Sequence, residues 1–471
     1  MLMNTPSFLI NDYIKDLSVE NIKAELYKKN IMTKDYPEDG LMLVYHKYDE
    51  KPCSQMEREC RSLVLDRETK KIVSYSCMTP MLNNEAEKFM KENSAVPHTL
   101  NKCYEGTLLS VFYHNKWYVS TRRCLNSNMS LWGENMTSHY TMFEDVLVCS
   151  GYKNFEDFTE KLNKNLCYNF ILIHHMNKND VDYVRNFGLE YKKLCLASIR
   201  NKETQSELEY NNTDYNFLSD NIFMSETYNS MDEFSKIYDS MFSFQPSVEG
   251  VIVKMLNPKT NNYDLLKLQT RNYKFVKSMG ATKNIYAGLI YLFQTNCLKK
   301  YLDENSNYMR VVNPYNISES YDVIGLVDAL FKVVTSELYE LFQQCFDLKT
   351  GKSNNNSNYN LLPKEYKQVL YGLRGIYFSI KADNFKNKDS AIPKNYFKIN
   401  DIYMFIKEYP TENLCMLLQE RRLLLNSARV DQTYAFFNST SVKCSKIHLK
   451  LVAIYLNKLF PNVSPSDVIV V

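Results

Sequence analysis

Residues 102–108 read Lys-Cys-Tyr-Glu-Gly-Thr-Leu, and the organisation of the chain is best worked out from this stretch. A lysine lies three residues before the pair Glu105-Gly106, and an apolar segment follows at 107–113. After a turn at 114–116, a second apolar segment at 117–121 predicts an antiparallel pair of strands. A glycine at the start of a strand allows another group to come close to the backbone, because it has no Cβ. The stretch therefore predicts a strand that begins at a close approach, with an amine just before it.

The composition is that of an ordinary globular protein. The chain has 471 residues, of which 45% are hydrophobic and 24% are charged, which is enough for two or three domains and a large core. With 57 basic and 54 acidic residues the net charge is +3, so a nucleic-acid surface would have to be a local patch. No apolar run reaches the roughly 18 residues of a membrane span, and no signal-peptide core is present at the N-terminus. We expect a soluble, cytoplasmic protein.

The cysteines and histidines do not indicate a metal site. The 12 cysteines are scattered and form no CxxC pair, which predicts reduced thiols in the cytoplasm. His174 and His175 are adjacent in a predicted strand, so one should be packed and the other exposed. The abundance of Asn, Lys, Tyr and Ile reflects A/T-rich codons, as in a large cytoplasmic DNA virus, more than it reflects the fold.

The hydrophobic periodicity changes near residue 283. Before it, short apolar segments separated by turns predict mixed, mostly antiparallel structure. After it, apolar residues recur at i, i+3 and i+4 in segments at 285–301, 320–346, 364–382, 399–409, 411–427 and 445–459. The expected fold class is α+β, with a domain of mostly antiparallel sheets flanked by helices at 1–282. An all-α domain is expected at 283–471.

Five segments, in this order along the chain, resemble motifs of the ATP-dependent RNA ligases, the covalent nucleotidyltransferases of phage-type RNA repair. Residues 59–62, Glu-Cys-Arg-Ser, are similar to an upstream Glu-Cys-Arg-Gly segment, and 81–85 are similar to an apolar segment ending in Asn and Glu. Residues 102–106 resemble the nucleophile motif Lys-x-Asp/Glu-Gly. The last two are Glu-Gly-Val at 249–251 and a Lys-x-Lys-like segment at 267–273. The resemblance implies a ligase-type nucleotidyltransferase domain followed by a helical domain that binds RNA or a protein partner.

The resemblance also implies a role for each matching residue. Lys102 would attack the α-phosphate of ATP, expel pyrophosphate and carry the adenylate as a phosphoramidate. Glu249 would help to bind Mg²⁺. The implied nucleotide-binding residues are Arg61, Glu105, Gly106 and Lys267, and those implied for the phosphate or RNA path are Arg122, Arg123 and Lys178.

Three positions depart from the family pattern. Lys102 lies three residues before Glu105 instead of two, where Cys103 stands. A shift of one residue on a strand turns a side chain to the opposite face, unless a bulge restores its direction. Ile171 replaces a glutamate that would bind the nucleotide sugar, and Gln269 replaces the second lysine of the last motif.

Two functions therefore stay open. The first is an enzyme that uses ATP and Mg²⁺ to join a 5′-phosphate to a 3′-hydroxyl of RNA through a lysyl-adenylate. The second is a catalytically inactive pseudo-ligase that binds RNA or serves as an assembly subunit. A capping-type GTP transfer is weaker, because no appended OB-fold pattern is present. Both main readings require the five segments to converge on one cavity, and they differ in where the Lys102 amine points.

Overall fold

The computed structural model of the chain describes residues 6–47, 54–132, 136–177, 179–208, 215–238, 246–279, 284–314, 316–347, 358–386, 396–426 and 445–461. The chain divides into two compact units, Met1–Lys274 and Phe275–Val471. The first unit combines antiparallel sheets with helices and the second is mainly helical, which confirms the predicted α+β class. Among the described residues, no helix combines the length and apolarity that a bilayer span needs.

Three sheets form the framework of the first unit. Sheet 1 is antiparallel, in the order β1-β2-β3-β4, with β1 (Ile31–Tyr36), β2 (Leu41–His46), β3 (Leu63–Asp66) and β4 (Ile72–Tyr75). Sheet 2 has the order β13-β12-β11-β7-β8, with β7 (Thr107–His114), β8 (Lys116–Thr121), β11 (Leu166–His174), β12 (Lys192–Asn201) and β13 (Ile222–Met224). Sheet 3 has the order β14-β6-β15-β16-β5, with β5 (Met81–Leu82), β6 (His98–Cys103), β14 (Thr227–Tyr228), β15 (Gly250–Asn257) and β16 (Asn262–Gln269). Only β12–β13 and β16–β5 pair in parallel within these described sheets.

Helices and one short strand pair complete this unit. The helices are α1 (Leu9–Ile14), α2 (Val19–Tyr27), α3 (Gln55–Glu59), α4 (Asn83–Glu92), α5 (His139–Cys149), α6 (Phe155–Thr159), α7 (Tyr183–Phe187) and α8 (Met231–Tyr238), and α9 (Arg271–Ser278) crosses the boundary between the units. The strands β9 (Leu131–Trp132) and β10 (Thr137–Ser138) pair with each other. The helices α1 and α2 are separate, because Ser18 caps α2 by accepting a hydrogen bond from the Asn21 amide over 3.4 Å.

Alternation along β15 shows how sheet 3 is oriented. Val251, Val253 and Met255 are buried in a core with Ala86 of α4 and Phe234 of α8. Residues 252 and 254 therefore lie on the opposite face of the strand, since successive side chains alternate. That face of sheet 3 and one face of sheet 2 border the same cavity.

The stretch at 102–108 passes from one sheet to the other. Residues 98–103 form β6 in sheet 3, and residues 107–114 form β7 in sheet 2. The predicted pair at 107–113 and 117–121 is confirmed as β7 and β8. Glu105 and Gly106 thus lie at the point where the chain crosses between the two sheets that border the cavity.

The second unit is built around one long buried helix. Its helices are α10 (Ile285–Gln294), α11 (Leu298–Glu304), α12 (Val323–Cys345), α13 (Lys364–Lys386), α14 (Ile399–Glu408), α15 (Thr411–Asn426) and α16 (Lys446–Leu459). Residues of α12 are buried along most of its length, and its Glu337 forms a two-pronged ion pair with Arg421 of α15, with one contact at 2.8 Å. Within the described residues of this unit, the hairpin of β17 (Arg310–Asn313) and β18 (Asn316–Asp322) is an exception to the expected all-α domain.

Candidate functional site

The cavity between sheets 2 and 3 has a volume of about 310 Å³. It is large enough for a small ligand, since small-molecule sites begin at about 300 Å³. The sequence-predicted residues that line it are Arg61, Lys102, Glu105, Gly106, Glu249 and Lys267. Segments far apart in the chain therefore meet at one place, as the motif order predicts.

Glu249 lies at the centre of a polar cluster in this cavity. Its Oε1 forms an ion pair with the amine of Lys267 and accepts a hydrogen bond from Gln269 Nε2 over 3.1 Å. Its Oε2 accepts a hydrogen bond from the thiol of Cys103 over 3.3 Å. Burial alone would raise the pKa of Glu249, but the Lys267 ammonium and the hydrogen bonds outweigh it and lower the pKa. Glu249 is therefore a carboxylate whose charge Lys267 neutralises.

The pairing of β6 with β15 decides where Lys102 and Cys103 point. Lys102 is opposite Val251, whose side chain lies in the core on the far side of sheet 3, and Cys103 is opposite Gly250. Directly opposed residues of an antiparallel pair share a face. The amine of Lys102 accordingly contacts Glu226 at 3.1 Å, while the Cys103 side chain reaches Glu249. Residue 102 lines the cavity along β6, but its amine forms an ion pair with Glu226 and does not reach Glu249.

The thiol that stands in the place of the expected lysine is a weak nucleophile. Cys103 is only 6% exposed. Burial, followed by the neighbouring Glu249 carboxylate, raises the pKa of the Cys103 thiol far above its ordinary value. The thiolate is the reactive form of cysteine, so the raised pKa disfavours reaction of Cys103 at neutral pH.

Lys267 does not supply a neutral amine either. Burial would lower the pKa of Lys267, but Cys103 and Glu249 beside it raise the pKa above its ordinary value. The Lys267 side chain is therefore an ammonium group at neutral pH. It can contribute charge and hydrogen bonds, and it has no lone pair with which to attack phosphorus.

Glu105, in the segment between β6 and β7, is hydrogen-bonded to the loop that follows β11. Its Oε2 accepts hydrogen bonds from the amides of Asp180 and Val181 over 2.6 and 2.9 Å. Its Oε1 accepts one from the Tyr273 hydroxyl over 2.9 Å. Burial, opposed by the Val181 hydrogen bond and supported by the charge of Glu249, raises the pKa of Glu105. Glu105 thus holds the cavity wall together through bonds within the protein.

The two glycines of the acid-glycine motifs are required by the packing of the strands. A Cβ on Gly106 would lie 2.4 Å from the carbonyl oxygen of Leu172, and one on Gly250 would lie 2.0 Å from that of Leu268. Both distances are far too short for any real contact. The close approach that the sequence predicts is therefore made by neighbouring strands of the same sheet.

Arg61 is the cation of the cavity that has the fewest internal partners. Its guanidinium donates to the sulfur of Cys77 over 3.7 Å, and among the described residues no carboxylate forms an ion pair with it. The predicted segment at 81–85 also reaches this site, because Asn83 exchanges two hydrogen bonds of 3.0 Å with Gln269. Asn83 thereby orients the amide that replaces the second lysine of the motif.

Sequence reasoning missed a second charged cluster on the cavity wall. Lys254 contacts Glu207 at 2.5 Å, and Arg200 contacts the other oxygen of Glu207 at 3.0 Å. Burial raises the pKa of Glu207, but the two cations outweigh it and keep the pKa low. Alternation from Gly250 along β15 could have identified Lys254. Glu207 lies outside the named strands, so no alternation pattern in the sequence could have indicated that it lines the cavity.

Two predicted residues of the RNA path lie elsewhere. Arg122 and Arg123 follow β8 and do not line the cavity. Arg122 donates to the carbonyl of His46 over 3.1 Å, and the Arg123 carbonyl accepts from Lys34 over 2.6 Å. Burial, and then the charge of Arg123, lower the pKa of Arg122 to about 10. Lys178 lies outside the described residues.

The residues at Glu249 do not fit a resident Mg²⁺ ion. Both carboxylate oxygens already accept hydrogen bonds or an ion pair. Across the described parts of the chain, no group of three or more His, Cys, Asp or Glu side chains could hold a metal. A hard cation such as Mg²⁺ needs several oxygen ligands. It would also have to displace the Lys267 ammonium from Glu249.

Comparisons with known proteins give a limited sequence match and distant structural ones. No model of a known protein family matches the chain. The immediate-early protein ICP-46 homolog of Invertebrate iridescent virus 3 is 31% identical over 122 residues, which are 24% of this chain and 27% of that protein. The chain thus matches about a quarter of the length of this viral relative.

The similar solved structures include ATP-dependent ligases. An archaeal ATP-dependent RNA ligase is 12% identical with a TM-score of 0.39, over 64% of this chain and 77% of the ligase. A putative ATP-dependent DNA ligase from Aquifex aeolicus is 14% identical with a TM-score of 0.36, over 62% and 72%. A Naegleria gruberi RNA ligase mutant with AMP and Mn is 12% identical with a TM-score of 0.29, over 42% of this chain and 56% of that one. Scores this low give no residue-level correspondence.

Proposed function

We propose that the cavity between sheets 2 and 3 binds a mononucleotide, ATP or an adenylate, without forming a covalent bond to it. The protein would be a ligase-like, RNA-binding protein of the cytoplasm that has lost self-adenylation. The observation that carries this proposal is that, of the two neighbouring residues on β6, Cys103 and not Lys102 reaches Glu249.

The lining of the cavity supports a nucleotide as its ligand. The guanidinium of Arg61 has two-pronged donor geometry that suits a phosphate group, and the ammonium of Lys267 lies in the same cavity. Apolar walls are provided by Ile171, Ile252 and Leu265, and such walls suit the flat face of a base. Because Ile171 cannot accept a hydrogen bond from a ribose hydroxyl, we expect the affinity to be modest.

The chemistry of self-adenylation supports the loss of catalysis. A neutral amine would have to form a nitrogen–phosphorus bond as the bond from the α-phosphorus to the pyrophosphate oxygen breaks. Lys102 is ion-paired with Glu226, and its side chain leaves β6 on the face opposite to that of Cys103. Lys267 is held as an ammonium by Glu249. The Cys103 thiol keeps its proton. Mg²⁺ would enter only with the phosphates of ATP, as part of the bound nucleotide.

The test is ATP binding measured by isothermal titration calorimetry with the full chain in Mg²⁺ buffer. Arg61→Ala should weaken binding about tenfold or more, since charge-assisted hydrogen bonds contribute about 1.5–3 kcal/mol. Arg123→Ala is the matched control, because Arg123 is exposed and lies outside the cavity, and it should bind ATP like the wild type. Absence of ATP binding by the wild type, or equal loss in both variants, would refute the proposal.

An active RNA ligase is the second candidate, and one observation favours it. The Lys102–Glu226 ion pair is partly exposed, with Glu226 at 64%, and exposed pairs contribute only about 0–1 kcal/mol. Release of the amine from Glu226 would therefore be easy. To reach Glu249, the Lys102 amine would also have to move to the other face of β6, which requires a bulge or a shift of register in that strand. The active-ligase candidate needs this rearrangement, and the first candidate does not.

A further inference from the structure

Three aromatic side chains project from one face of α13 in the second unit. Tyr371, Phe378 and Phe385 are 73%, 42% and 75% exposed. They recur every seven residues, close to two full helical turns, so they form a row with spacings of about 10 Å. Gly375 and Ala382 stand between them in the row, and no atom lies within 4 Å of the Cβ position of Gly375. We name these three residues the aromatic stripe.

The other face of α13 anchors the helix in its unit. Tyr366, Val369, Leu370 and Leu373 are at most 2% exposed. The stripe is thus carried on a helix that is fixed by its own core. The backbone of α13 therefore does not have to be ordered when a ligand packs on the rings.

The helix that carries the stripe is strongly basic. Residues 364–386 contain five basic and two acidic side chains. Their net charge of +3 equals that of the whole 471-residue chain. Arg374 and Lys381 each precede a stripe ring by four residues, and the guanidinium of Arg374 lies 5.3 Å from the centroid of the Phe378 ring. Cations therefore run beside the exposed rings.

This charge pattern favours a polyanion over a second copy of the chain. Seven-residue spacing of apolar residues also suits a helix pair. Lys367, Arg374 and Lys381 repeat with the same spacing along one flank of the stripe, and an antiparallel partner helix would bring like charges together. A single-stranded nucleic acid offers both phosphates for this flank and bases that stack on the rings.

We infer that the aromatic stripe of α13 binds single-stranded RNA. Bases stack on Tyr371, Phe378 and Phe385, and phosphates lie along Arg374 and Lys381. The choice of RNA as the nucleic acid rests on the proposed function, whereas the surface itself is separate from the nucleotide cavity in residues and in chemistry. Duplex RNA is excluded as the preferred ligand, because its paired bases cannot stack on side chains.

The experiment compares two triple variants of the full chain by fluorescence anisotropy with a fluorescein-labelled, unstructured 20-nucleotide RNA. Tyr371→Ala/Phe378→Ala/Phe385→Ala should weaken binding about tenfold or more, since each stacked base contributes about 1–3 kcal/mol. Tyr371→Phe/Phe378→Tyr/Phe385→Tyr keeps every ring and should remain within about twofold of the wild type, on the same stacking argument. Lys381→Gln should reduce the salt dependence by about 0.7 in the slope of log K against log salt. Unlabelled duplex RNA should compete poorly.

Several results would overturn the inference, and none depends on the nucleotide cavity. Equal RNA affinity of the alanine triple and the wild type would do so, as would the absence of RNA binding by the wild type. Conversion of a dimer to a monomer in sedimentation, with RNA affinity unchanged, would assign the stripe to self-association instead. ATP titration of the same variants separates the two proposals, because the alanine triple should bind ATP normally even if it loses RNA.

Discussion

Cys103 donates its thiol hydrogen bond to Glu249 over 3.3 Å, at the point where the resemblance to RNA ligases leads one to expect a lysine amine. The neighbouring Lys102 lies on the other face of the same strand and contacts Glu226. The register of β6 therefore directs the thiol of Cys103, and not the amine of Lys102, to Glu249.

The reactivity of Cys103 tests this arrangement chemically. Because burial and Glu249 raise the pKa of its thiol, Cys103 should be alkylated by iodoacetamide at pH 8 at least about tenfold more slowly than an accessible cysteine. Cys149 is exposed and provides the internal control. Peptide mass spectrometry over a time course gives both rates, and equal rates would show that the thiol is open to solvent.

The ion pair between Glu249 and Lys267 should be strongly coupled. Lys267→Met leaves Glu249 buried without its cation and should lower the free energy of unfolding by about 3 kcal/mol. Glu249→Gln/Lys267→Met should recover much of that loss, because it removes both charges. Because the pKa of Glu249 is lowered on folding, its contribution is present above its unfolded pKa and is lost as the pH falls through the folded value.

Urea denaturation at pH 7 of Glu249→Gln, Lys267→Met and the double variant measures the coupling energy between the two side chains. If the loss in free energy of unfolding of the double variant equals the sum of the two single losses to within about 0.5 kcal/mol, the account is contradicted, because such additivity is typical of independent sites.

Alanine should destabilise the protein at two glycine positions and stabilise it at a third. Gly250→Ala places a Cβ 2.0 Å from the Leu268 carbonyl oxygen and should lower the free energy of unfolding by about 3 kcal/mol. Gly106→Ala should behave similarly, for the same reason. Gly375→Ala in α13 meets open space and should stabilise its unit by up to about 1 kcal/mol through helix propensity. Chemical unfolding of each variant checks these signs, and a neutral Gly250→Ala would show that the two strands are not so close.

Glu59 should make stability depend on pH. It is 2% exposed, and burial raises its pKa from 4.5 to about 7 despite a hydrogen bond of 3.3 Å from the Ile10 amide. Its protonated form is favoured by folding, so its contribution is full below pH 4.5 and is lost as the pH rises through 7. Relative to Glu59→Gln, the wild type should lose about 3 kcal/mol between pH 4.5 and pH 8. Parallel pH profiles for the two proteins would contradict this.

The parts of the fold that were predicted correctly are those with strong local patterns. The strands β7 and β8 have apolar segments on both sides of a short polar turn. His174 is buried and His175 is exposed, as predicted, but the predicted reason is wrong, because β11 ends at His174 and the two rings stack with centroids 4.6 Å apart. Strand β6 was not predicted, because His98–Cys103 is mostly polar. It is a strand because it lies between β14 and β15, and such tertiary pairing overrides propensity.

The order of the motifs indicates which residues meet in the cavity, but it does not indicate which way their side chains point. Motif order brought Arg61, Glu249 and Lys267 to one cavity, but order along a chain does not say which way a turn residue faces. Arg122, predicted for the phosphate or RNA path, lies outside the cavity and donates to the carbonyl of His46 in sheet 1, and its role in RNA binding stays a prediction. The direction of Lys102 depended on the register of β6 against β15, and that register is set by partners about 150 residues away in the sequence.

Covalent labelling tests the central claim most directly. The wild type, Lys102→Ala and Cys103→Lys are each incubated with Mg²⁺ and α-³²P-labelled ATP and separated by denaturing electrophoresis, beside an active ligase as a positive control. We expect no label on the wild type or on Lys102→Ala, even where calorimetry shows ATP binding. Label on Cys103→Lys would locate the productive position at residue 103. Label on the wild type that disappears in Lys102→Ala would contradict the account, because the amine of Lys102 would then reach the nucleotide.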